Sequence, residues 1–344
     1  MSKSPLRVVA WETTRRCALA CRHCRGAAAD REYPGELSTD EGKRLLDAIA
    51  AFARPIVILT GGEPMSRDDI YELAACGTEL GLRMVMAPCG HLITEETAPR
   101  LKEAGVRRIS ISLDGADAET HDSFRGVAGA FEAAMTGIRH AREAGLEFQV
   151  NTTLTRLNVD QLPRILDLAV ELGAAALDVF FLVPTGRGAG LKDMEVSAEG
   201  YERALEWIRE AAQNAPIRVK PTCAPHYARL VAQHGGKTGH GSGGCMAGRG
   251  FVFVSHRGVL QPCGFLDIPC GDLREADFDF RKLYETSEVF QDLRHPDGYG
   301  GKCGVCEYRQ VCGGCRARAY ARTGDYLAAE TACTYVPEGW KESA

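Results

Sequence analysis

The chain has 344 residues, 45% of them hydrophobic and 25% charged, with 41 Lys and Arg against 46 Asp and Glu. These values exclude a disordered or fibrous chain, and they lack the basic surplus that is typical of nucleic-acid binding. No apolar run reaches the roughly 20 residues of a membrane span, and the N-terminus lacks a signal peptide's apolar run, so we expect a cytoplasmic protein without nucleic-acid or membrane partners.

The first 220 residues alternate between apolar runs and amphipathic segments. The runs predicted as buried strands are Val8–Trp11, Ile56–Leu59, Met84–Met86, Arg108–Leu113, Phe148–Asn151 and Leu177–Val183. The segments predicted as helices are Thr39–Phe52, Asp68–Leu80, Glu95–Ala104, Ala130–Ala144, Val159–Leu172 and Ala198–Gln213. Apolar strands separated by helices indicate a parallel sheet covered by helices. Because no Gly-x-Gly-x-x-Gly follows the first strand, the pattern favours a partial or complete α/β barrel over a Rossmann sheet.

Short signals mark the predicted helix ends. Ser38 and Glu41 form a capping box before the first helix. Glycine stands where four of the helices should stop, at Gly81, Gly105, Gly145 and Gly173. In α/β barrels the functional residues lie in the loops at the C-terminal ends of the strands, and the motifs below follow strands in this way.

The sequence changes character after Pro221. Residues 233–244 form a glycine-rich linker, and a hairpin is predicted from Phe251–Ser255 and Val259–Gln261. The remaining sequence has too little periodic apolar character for a large core of its own. We therefore predict a barrel over residues 1–220 and a small domain over 221–344 that metal centres hold together.

The 14 cysteines favour metal ligation over disulfides, because cytoplasmic thiols stay reduced. Cys17, Cys21 and Cys24 follow the first strand with the spacing C-x3-C-x2-C. Three thiolates leave one iron of a [4Fe–4S] cluster open for a small molecule. The alternative is a structural zinc loop with His23 as the fourth ligand.

This cysteine loop resembles the signature of the radical S-adenosylmethionine (SAM) enzymes, in which it follows the first strand of a six-unit partial TIM barrel. Thr60-Gly61-Gly62-Glu63-Pro64 matches the GGEP loop of that family. The resemblance implies an S-adenosylmethionine site formed by His23, Gly61, Gly62, Glu63, Pro64, Ser112 and Asn151. We expect Gly61 and Gly62 to let the backbone approach the ligand because they lack a Cβ. For Ser112 and Asn151 a strand-end cap is the alternative.

One position departs from the family pattern. The third strand often ends in Thr-Asn-Gly, but here it is followed by Pro88-Cys89-Gly90. We expect Cys89 near the barrel mouth and assign it no role. Cys76 falls inside a predicted helix, where a cysteine acts as a small core hydrophobe.

The remaining cysteines resemble the SPASM extension of radical SAM enzymes, which holds one or two auxiliary [4Fe–4S] clusters. The resemblance implies one cluster on Cys303, Cys306, Cys312 and Cys333, and a second on Cys245, Cys263 and Cys315. Cys223 is our choice for the eighth ligand, and Cys270 is its competitor. Two residues separate Cys312 from Cys315 where the family has three, which leaves the ligand assignment open. A zinc ribbon is the alternative, although its cysteine pairs are usually farther apart.

The chain most resembles the heme synthases of the siroheme-dependent heme pathway. The matching segments are Arg25-Gly-Ala-Ala-Ala29, Pro184-Thr-Gly-Arg-Gly188, Thr222–Arg229 and Cys306–Tyr320. The resemblance implies a radical SAM oxidative decarboxylase that converts the propionates of iron-coproporphyrin III to vinyl groups, giving heme b. It also implies S-adenosylmethionine, three [4Fe–4S] clusters and a reduced electron donor such as flavodoxin or ferredoxin.

Arginines suit propionate recognition because the guanidinium fork binds both carboxylate oxygens. Arg187 is the first candidate, Arg125 and Arg229 follow, and His226 and Tyr227 are candidates to line a porphyrin site. A surface arginine or a packed loop is the alternative for each.

Three other functions compete with this one. A radical SAM/SPASM maturase that modifies a peptide shares both cysteine clusters, but it commonly carries a recognition domain, and few residues precede Val8 here. Another tetrapyrrole side-chain modifying enzyme is the second. An electron-transfer protein is the third, and the open three-cysteine loop beside GGEP argues against it.

Overall fold

The computed structural model describes residues 5–237 and 244–341. In these residues nine strands form one sheet. They are β1 (Val8–Thr14), β2 (Ile56–Gly61), β3 (Arg83–Met86), β4 (Ile109–Ser112), β5 (Phe148–Leu154), β6 (Ala176–Phe181), β7 (Arg218–Thr222), β8 (Phe251–Val254) and β9 (Leu260–Gln261).

The sheet has the strand order β7-β6-β5-β4-β3-β2-β1-β8-β9. Neighbours from β1 to β7 are parallel, β8 is parallel to β1, and β9 returns antiparallel to β8. No pairing among the described residues joins β7 to β9, so the barrel stays open. This confirms the α/β partial barrel expected from the sequence.

Twelve α-helices occur in the part of the chain that the structure describes. They are α1 (Thr39–Phe52), α2 (Ile70–Glu79), α3 (Thr97–Glu103), α4 (Ala118–Arg125), α5 (Ala130–Glu143), α6 (Leu162–Leu172), α7 (Ala198–Asn214), α8 (His226–Gln233), α9 (Phe280–Thr286), α10 (Glu288–Leu293), α11 (Gly301–Val305) and α12 (Arg316–Thr323).

The predicted helix signals are confirmed at α1, which has the predicted bounds. The Ser38 hydroxyl accepts a hydrogen bond from the Glu41 N–H, and the Glu41 carboxylate accepts one from the Ser38 N–H. The four glycines expected at helix ends all have positive φ, between 64° and 84°, which glycine adopts without strain. The other predicted helices and strands are present with ends that differ by a few residues.

Along β2 to β5, buried residues alternate with more exposed ones. The buried set, which includes Val57, Met84, Ile111 and Val150, packs with the helices into one continuous core. Because side chains alternate between the two faces of a strand, the half-buried set faces the barrel interior. This second set is therefore placed to meet a ligand.

One strand, β7, and six helices, α4 and α8 to α12, are absent from the sequence prediction. β7 contains Lys220 and Pro221, and proline normally argues against a strand. It forms here because β7 lies at the sheet edge. The helix α4 is charged or polar at most positions and shows no clear apolar stripe.

The structure does not divide at residue 220, because β7 crosses that position. The predicted hairpin is present as β8 and β9, but β8 also extends the barrel sheet by pairing with Val8–Trp11. Phe280 and Phe290 belong to the same buried core as β1 and β2. Of the predicted linker 233–244, residues 238–243 lie outside the described residues, and Gln233 is the last residue of α8.

None of the described helices is both long enough and apolar enough to cross a membrane.

Candidate active site

The cysteine loop leaves the C-terminal end of β1, and each of its three sulfur atoms accepts a hydrogen bond from the protein. The donors are the Leu19 N–H to Cys17 at 3.4 Å, the Ala28 N–H to Cys24 at 3.4 Å, and the Arg125 guanidinium to Cys21 at 3.6 Å. Such donors stabilise thiolates, which are the ligand form of cysteine. The three-sulfur donor set therefore fits a [4Fe–4S] cluster with one open iron.

The GGEP loop packs directly onto the segment that leads into the cysteine loop. The N–H of Gly62 donates to the Thr14 carbonyl and the N–H of Glu63 to the Arg16 carbonyl, both at 2.8 Å. A Cβ at Gly61 would lie 2.2 Å from the Thr14 oxygen, and one at Gly62 would lie 2.4 Å from the Arg16 oxygen. The expectation that these glycines make room for a ligand is thus corrected, because the close approach is to the protein's own backbone.

Glu63 ties the GGEP loop to the end of β3. It is fully buried, and its two carboxylate oxygens accept hydrogen bonds from the N–H groups of Met65 at 3.0 Å and Cys89 at 2.7 Å. Burial raises the pKa of this carboxyl group. The Cys89 sulfur lies 3.9 Å from the Cys17 sulfur, so the departure from the family pattern places a thiol beside the cysteine loop.

His23 and Arg125 meet at Asp114, directly after β4. The His23 ring stacks on Phe124 with centroids 4.2 Å apart, and its Nε2 lies 4.0 Å from an Asp114 oxygen. Burial lowers the pKa of His23 to about 4, which keeps the ring neutral. Arg125 pairs with Asp114 at 2.6 Å and reaches Cys21 with another nitrogen. The guanidinium group of Arg125, a candidate to bind a substrate propionate, thus holds the cysteine loop instead.

The comparisons with known proteins agree with this geometry. A family model described as the Radical SAM superfamily matches residues 11–169. The chain is 49% identical to the AdoMet-dependent heme synthase of Nitratidesulfovibrio vulgaris, over 96% of this chain and 93% of that protein. It is also 49% identical to the AdoMet-dependent heme synthase of Methanosarcina barkeri, over 98% of each.

The chain belongs to the radical SAM superfamily. Among solved structures it is similar to Streptococcus suis SuiB bound to S-adenosylmethionine, with a TM-score of 0.77 and 17% identity, over 96% of this chain and 78% of that one. At that identity the likeness concerns the fold. Membership in the superfamily brings S-adenosylmethionine and an iron–sulfur cluster as cofactors of this radical SAM enzyme.

In this radical SAM chain, a polar layer crosses the barrel interior on four neighbouring strands. Ser112 is in register with Asn151, Asn151 with Asp178, and Asp178 with Lys220. The Lys220 ammonium pairs with the Asp178 carboxylate at 2.9 Å. Ser112 and Asn151 were predicted from the sequence, whereas Asp178 and Lys220 were not. The feature that marks these two residues is their alignment with Asn151 across the sheet, and this alignment is known only when the strand register is known.

Four cysteines of the C-terminal part surround one cavity. They are Cys303, Cys306, Cys312 and Cys333, the set expected for one auxiliary cluster. The Glu330 N–H and the Arg316 guanidinium lie 3.3 Å and 3.7 Å from the Cys303 sulfur. Four convergent thiols with such donors fit a closed [4Fe–4S] cluster.

A second group contains four of the five remaining candidates. Cys223, Cys245, Cys263 and Cys315 pack in one small apolar cluster. Burial raises the pKa of the Cys223 thiol, and the neighbouring Cys315 and Cys263 sulfurs add to this effect. Cys270 lies elsewhere, because it packs in the barrel core and its thiol donates to the Ile268 carbonyl.

The short spacing between Cys312 and Cys315 separates the two groups. Gly313 and Gly314 have φ of 72° and 61°, so the chain turns sharply in a conformation that favours glycine. This turn directs Cys312 to one group and Cys315 to the other. Glu330 spans them, since its N–H meets the Cys303 sulfur and its carboxylate accepts from the Cys315 N–H at 2.8 Å.

Arg187 and Arg229, expected to bind substrate, have other partners. Arg187 donates to the carbonyl oxygens of Cys21 at 2.8 Å and Ala28 at 2.5 Å, which are both in or next to the cysteine loop. Arg229 forms a two-point ion pair with Glu202, at 2.7 and 2.6 Å, and is 4% exposed. Both guanidinium groups thus bind groups of the protein itself, whereas the sequence analysis expected them to bind the carboxylates of a substrate.

His226 and Tyr227, expected to line a porphyrin site, also lie elsewhere. His226 lines the cavity of the Cys303 group, and burial lowers its pKa to about 4. Tyr227 is buried in the main core, and burial raises its pKa. The structure therefore does not bring these two residues together at one site, because His226 lies beside the auxiliary cysteines and Tyr227 in the main core.

Sequence reasoning also missed the buried charges that support the cysteine groups. Arg318 is 1% exposed, and it pairs with Glu330 at 3.1 Å and donates to the Cys223 carbonyl at 3.2 Å. Burial opposes ionisation of Glu330, but the Arg318 charge holds the pKa of that carboxyl below its usual value. Charged residues in a cysteine-rich tail carry no sequence signal that separates buried ones from surface ones.

Proposed function

We propose that this radical SAM enzyme oxidatively decarboxylates two propionates of iron-coproporphyrin III to vinyl groups and so produces heme b. The observation that carries the proposal is the 49% identity, over nearly the whole chain, to two AdoMet-dependent heme synthases. The two groups of four cysteines in the C-terminal part support it, because they fit the clusters that an oxidation requires.

In this proposal Cys17, Cys21 and Cys24 hold the radical cluster. The GGEP loop, Ser112 and Asn151 bind S-adenosylmethionine, with Glu63 fixing the loop against β3. When bound, the cluster and S-adenosylmethionine would supply the radical chemistry that removes a hydrogen atom from the propionate. The half-buried interior faces of β4 and β5 would line the space in which that chemistry takes place.

The electron balance explains the additional cysteine groups. Conversion of one propionate carboxylate to a vinyl group removes one hydrogen atom, one carbon dioxide and one electron. Counted from the protonated acid, the mass lost is carbon dioxide and two hydrogens, because the carboxyl proton leaves as well. Each propionate therefore consumes one S-adenosylmethionine and needs an electron acceptor. We assign that role to the clusters on Cys303, Cys306, Cys312 and Cys333, and on Cys223, Cys245, Cys263 and Cys315. A flavodoxin or ferredoxin of the cytoplasm is the proposed donor to the radical cluster.

The test is anaerobic incubation of the reconstituted protein with iron-coproporphyrin III, dithionite and S-adenosylmethionine, followed by mass spectrometry. We expect two successive losses, each of carbon dioxide and two hydrogens, and one 5′-deoxyadenosine per loss. Deoxyadenosine formed at the same rate with and without porphyrin, with no mass change, would contradict the proposal. A different mass change would indicate another tetrapyrrole side-chain modification. If the porphyrin does not react at all, peptide modification is the function to assay next.

The choice of the eighth auxiliary ligand has its own test. We expect Cys223→Ser to lose about one third of roughly twelve irons, because Cys223 packs with Cys245, Cys263 and Cys315. Cys270→Ser is the matched control and should keep its full iron content, since Cys270 packs in the barrel core. Iron analysis and EPR spectroscopy after reconstitution measure both. Iron loss in Cys270→Ser alone would reverse the assignment.

A further inference from the structure

His226 is a buried polar side chain that the proposed reaction does not use. It is the first residue of α8 and is 1% exposed. Its side chain lines the cavity that Cys303, Cys306, Cys312 and Cys333 surround. The ring is therefore next to a proposed cluster and far from solvent.

Neither ring nitrogen of His226 has a hydrogen-bond partner among residues 5–237 and 244–341. The nearest carboxylate oxygen, on Glu330, is 3.9 Å from Nε2, which is beyond hydrogen-bond distance. The ring does contact Tyr201, edge to face with centroids 5.0 Å apart, but this contact satisfies neither nitrogen. A buried donor without a partner is costly, so such a group calls for an acceptor in the cavity.

Sulfur is the most abundant acceptor in this cavity, whose lining also contains Glu330, Tyr308 and Tyr335. Every imidazole carries at least one N–H donor, whatever its tautomer or charge. The cavity is lined by four cysteines, and a cluster bound there adds inorganic sulfide. Hydrogen bonds to cluster sulfurs favour the reduced state, because it carries the additional negative charge.

We propose that His226 donates a hydrogen bond to a sulfur atom of the cluster held by Cys303, Cys306, Cys312 and Cys333, and thereby raises its reduction potential. The inference rests on the proposed function for the existence of that cluster. His226 is thus a tuning residue that acts on an electron acceptor. The higher reduction potential makes this cluster a more favourable destination for the electron that leaves the substrate.

The test separates the auxiliary clusters from the radical cluster. The parent is the full chain with Cys17, Cys21 and Cys24 replaced by alanine, which loads only the auxiliary sites. His226→Phe keeps a flat ring without a donor, and His226→Gln keeps an N–H donor. His234→Phe is the matched control, because His234 directly follows α8 and is 48% exposed at the side chain. EPR-monitored potentiometric titration measures each variant.

We expect His226→Phe to lower one of the two auxiliary potentials, while the other stays unchanged. Loss of one hydrogen bond should change the reduction equilibrium about tenfold, or ~59 mV for a one-electron couple. His226→Gln should recover most of the shift, and His234→Phe should show none. Unchanged potentials in a fully loaded His226→Phe protein overturn the inference and leave the proposed reaction intact. A parent that loads no auxiliary cluster counts against the proposed function itself.

A second measurement covers the case in which His226→Phe does not load its clusters. Protein with 15N-labelled histidine should show a weak nitrogen coupling to a reduced auxiliary cluster in spin-echo EPR. We expect this coupling in the Cys17, Cys21 and Cys24 triple variant and its loss in His226→Gln. Its absence from the triple variant overturns the inference without any change at His226.

Discussion

Replacement of Cys17, Cys21 and Cys24 together by alanine should remove about one third of roughly twelve irons and abolish cleavage of S-adenosylmethionine. The three sulfur atoms lie in one loop, and each accepts a hydrogen bond from the protein. The auxiliary groups lie on other segments, so their iron should stay. Iron analysis, EPR spectroscopy and chromatographic detection of 5′-deoxyadenosine measure the outcome.

Cys76→Ala is the matched control for this experiment. Cys76 lies on α2 and packs against the main core, outside the three cysteine groups, so its loss should leave iron and cleavage unchanged. Deoxyadenosine formation that survives in the triple variant would show that the radical cluster is held elsewhere. Loss of all iron would show that the auxiliary groups depend on the loop.

The barrel could be predicted because its signals are local. Periodicity locates six strands and six helices of the first 220 residues, and the capping box at Ser38 fixes where α1 begins. The C-terminal half of the sheet carries weaker signals. β7 contains Pro221, and only the tertiary pairing of β8 with β1 shows that the hairpin extends the barrel. Pairing between strands that lie far apart in the chain produces no periodic pattern in the amino-acid sequence.

The cysteine ligands could also be predicted as groups, since their spacing carries the information. The partners of charged residues could not. Arg125, Arg187 and Arg229 were expected at the substrate, yet their guanidinium groups hold Asp114, backbone carbonyls and Glu202. An arginine's partner depends on which loops meet in space. That is a property of the fold and not of the local sequence.

Arg187 provides the sharpest test of this difference. A substrate arginine predicts that Arg187→Ala weakens porphyrin binding and leaves S-adenosylmethionine cleavage intact. In the structure, however, its guanidinium donates to the carbonyl oxygens of Cys21 and Ala28, and its N–H donates to the Cys24 carbonyl at 3.0 Å. The loop between β6 and α7 therefore braces the cysteine loop through this residue.

We expect Arg187→Ala to reduce radical-cluster iron, S-adenosylmethionine cleavage and porphyrin turnover together. Hydrogen bonds from a charged group contribute about 1.5–3 kcal/mol each, so the loss of two should lower the equilibrium constant for ordering the loop by about a hundredfold or more. Arg187→Lys should recover only part of this, because an ammonium lacks the planar fork that reaches both carbonyls. Arg22→Ala is the matched control, since Arg22 is exposed in the same loop. If Arg187→Ala instead weakens porphyrin binding and leaves cleavage of S-adenosylmethionine without porphyrin intact, Arg187 binds the substrate. The hydrogen bonds to Cys21 and Ala28 would then not be what orders the loop.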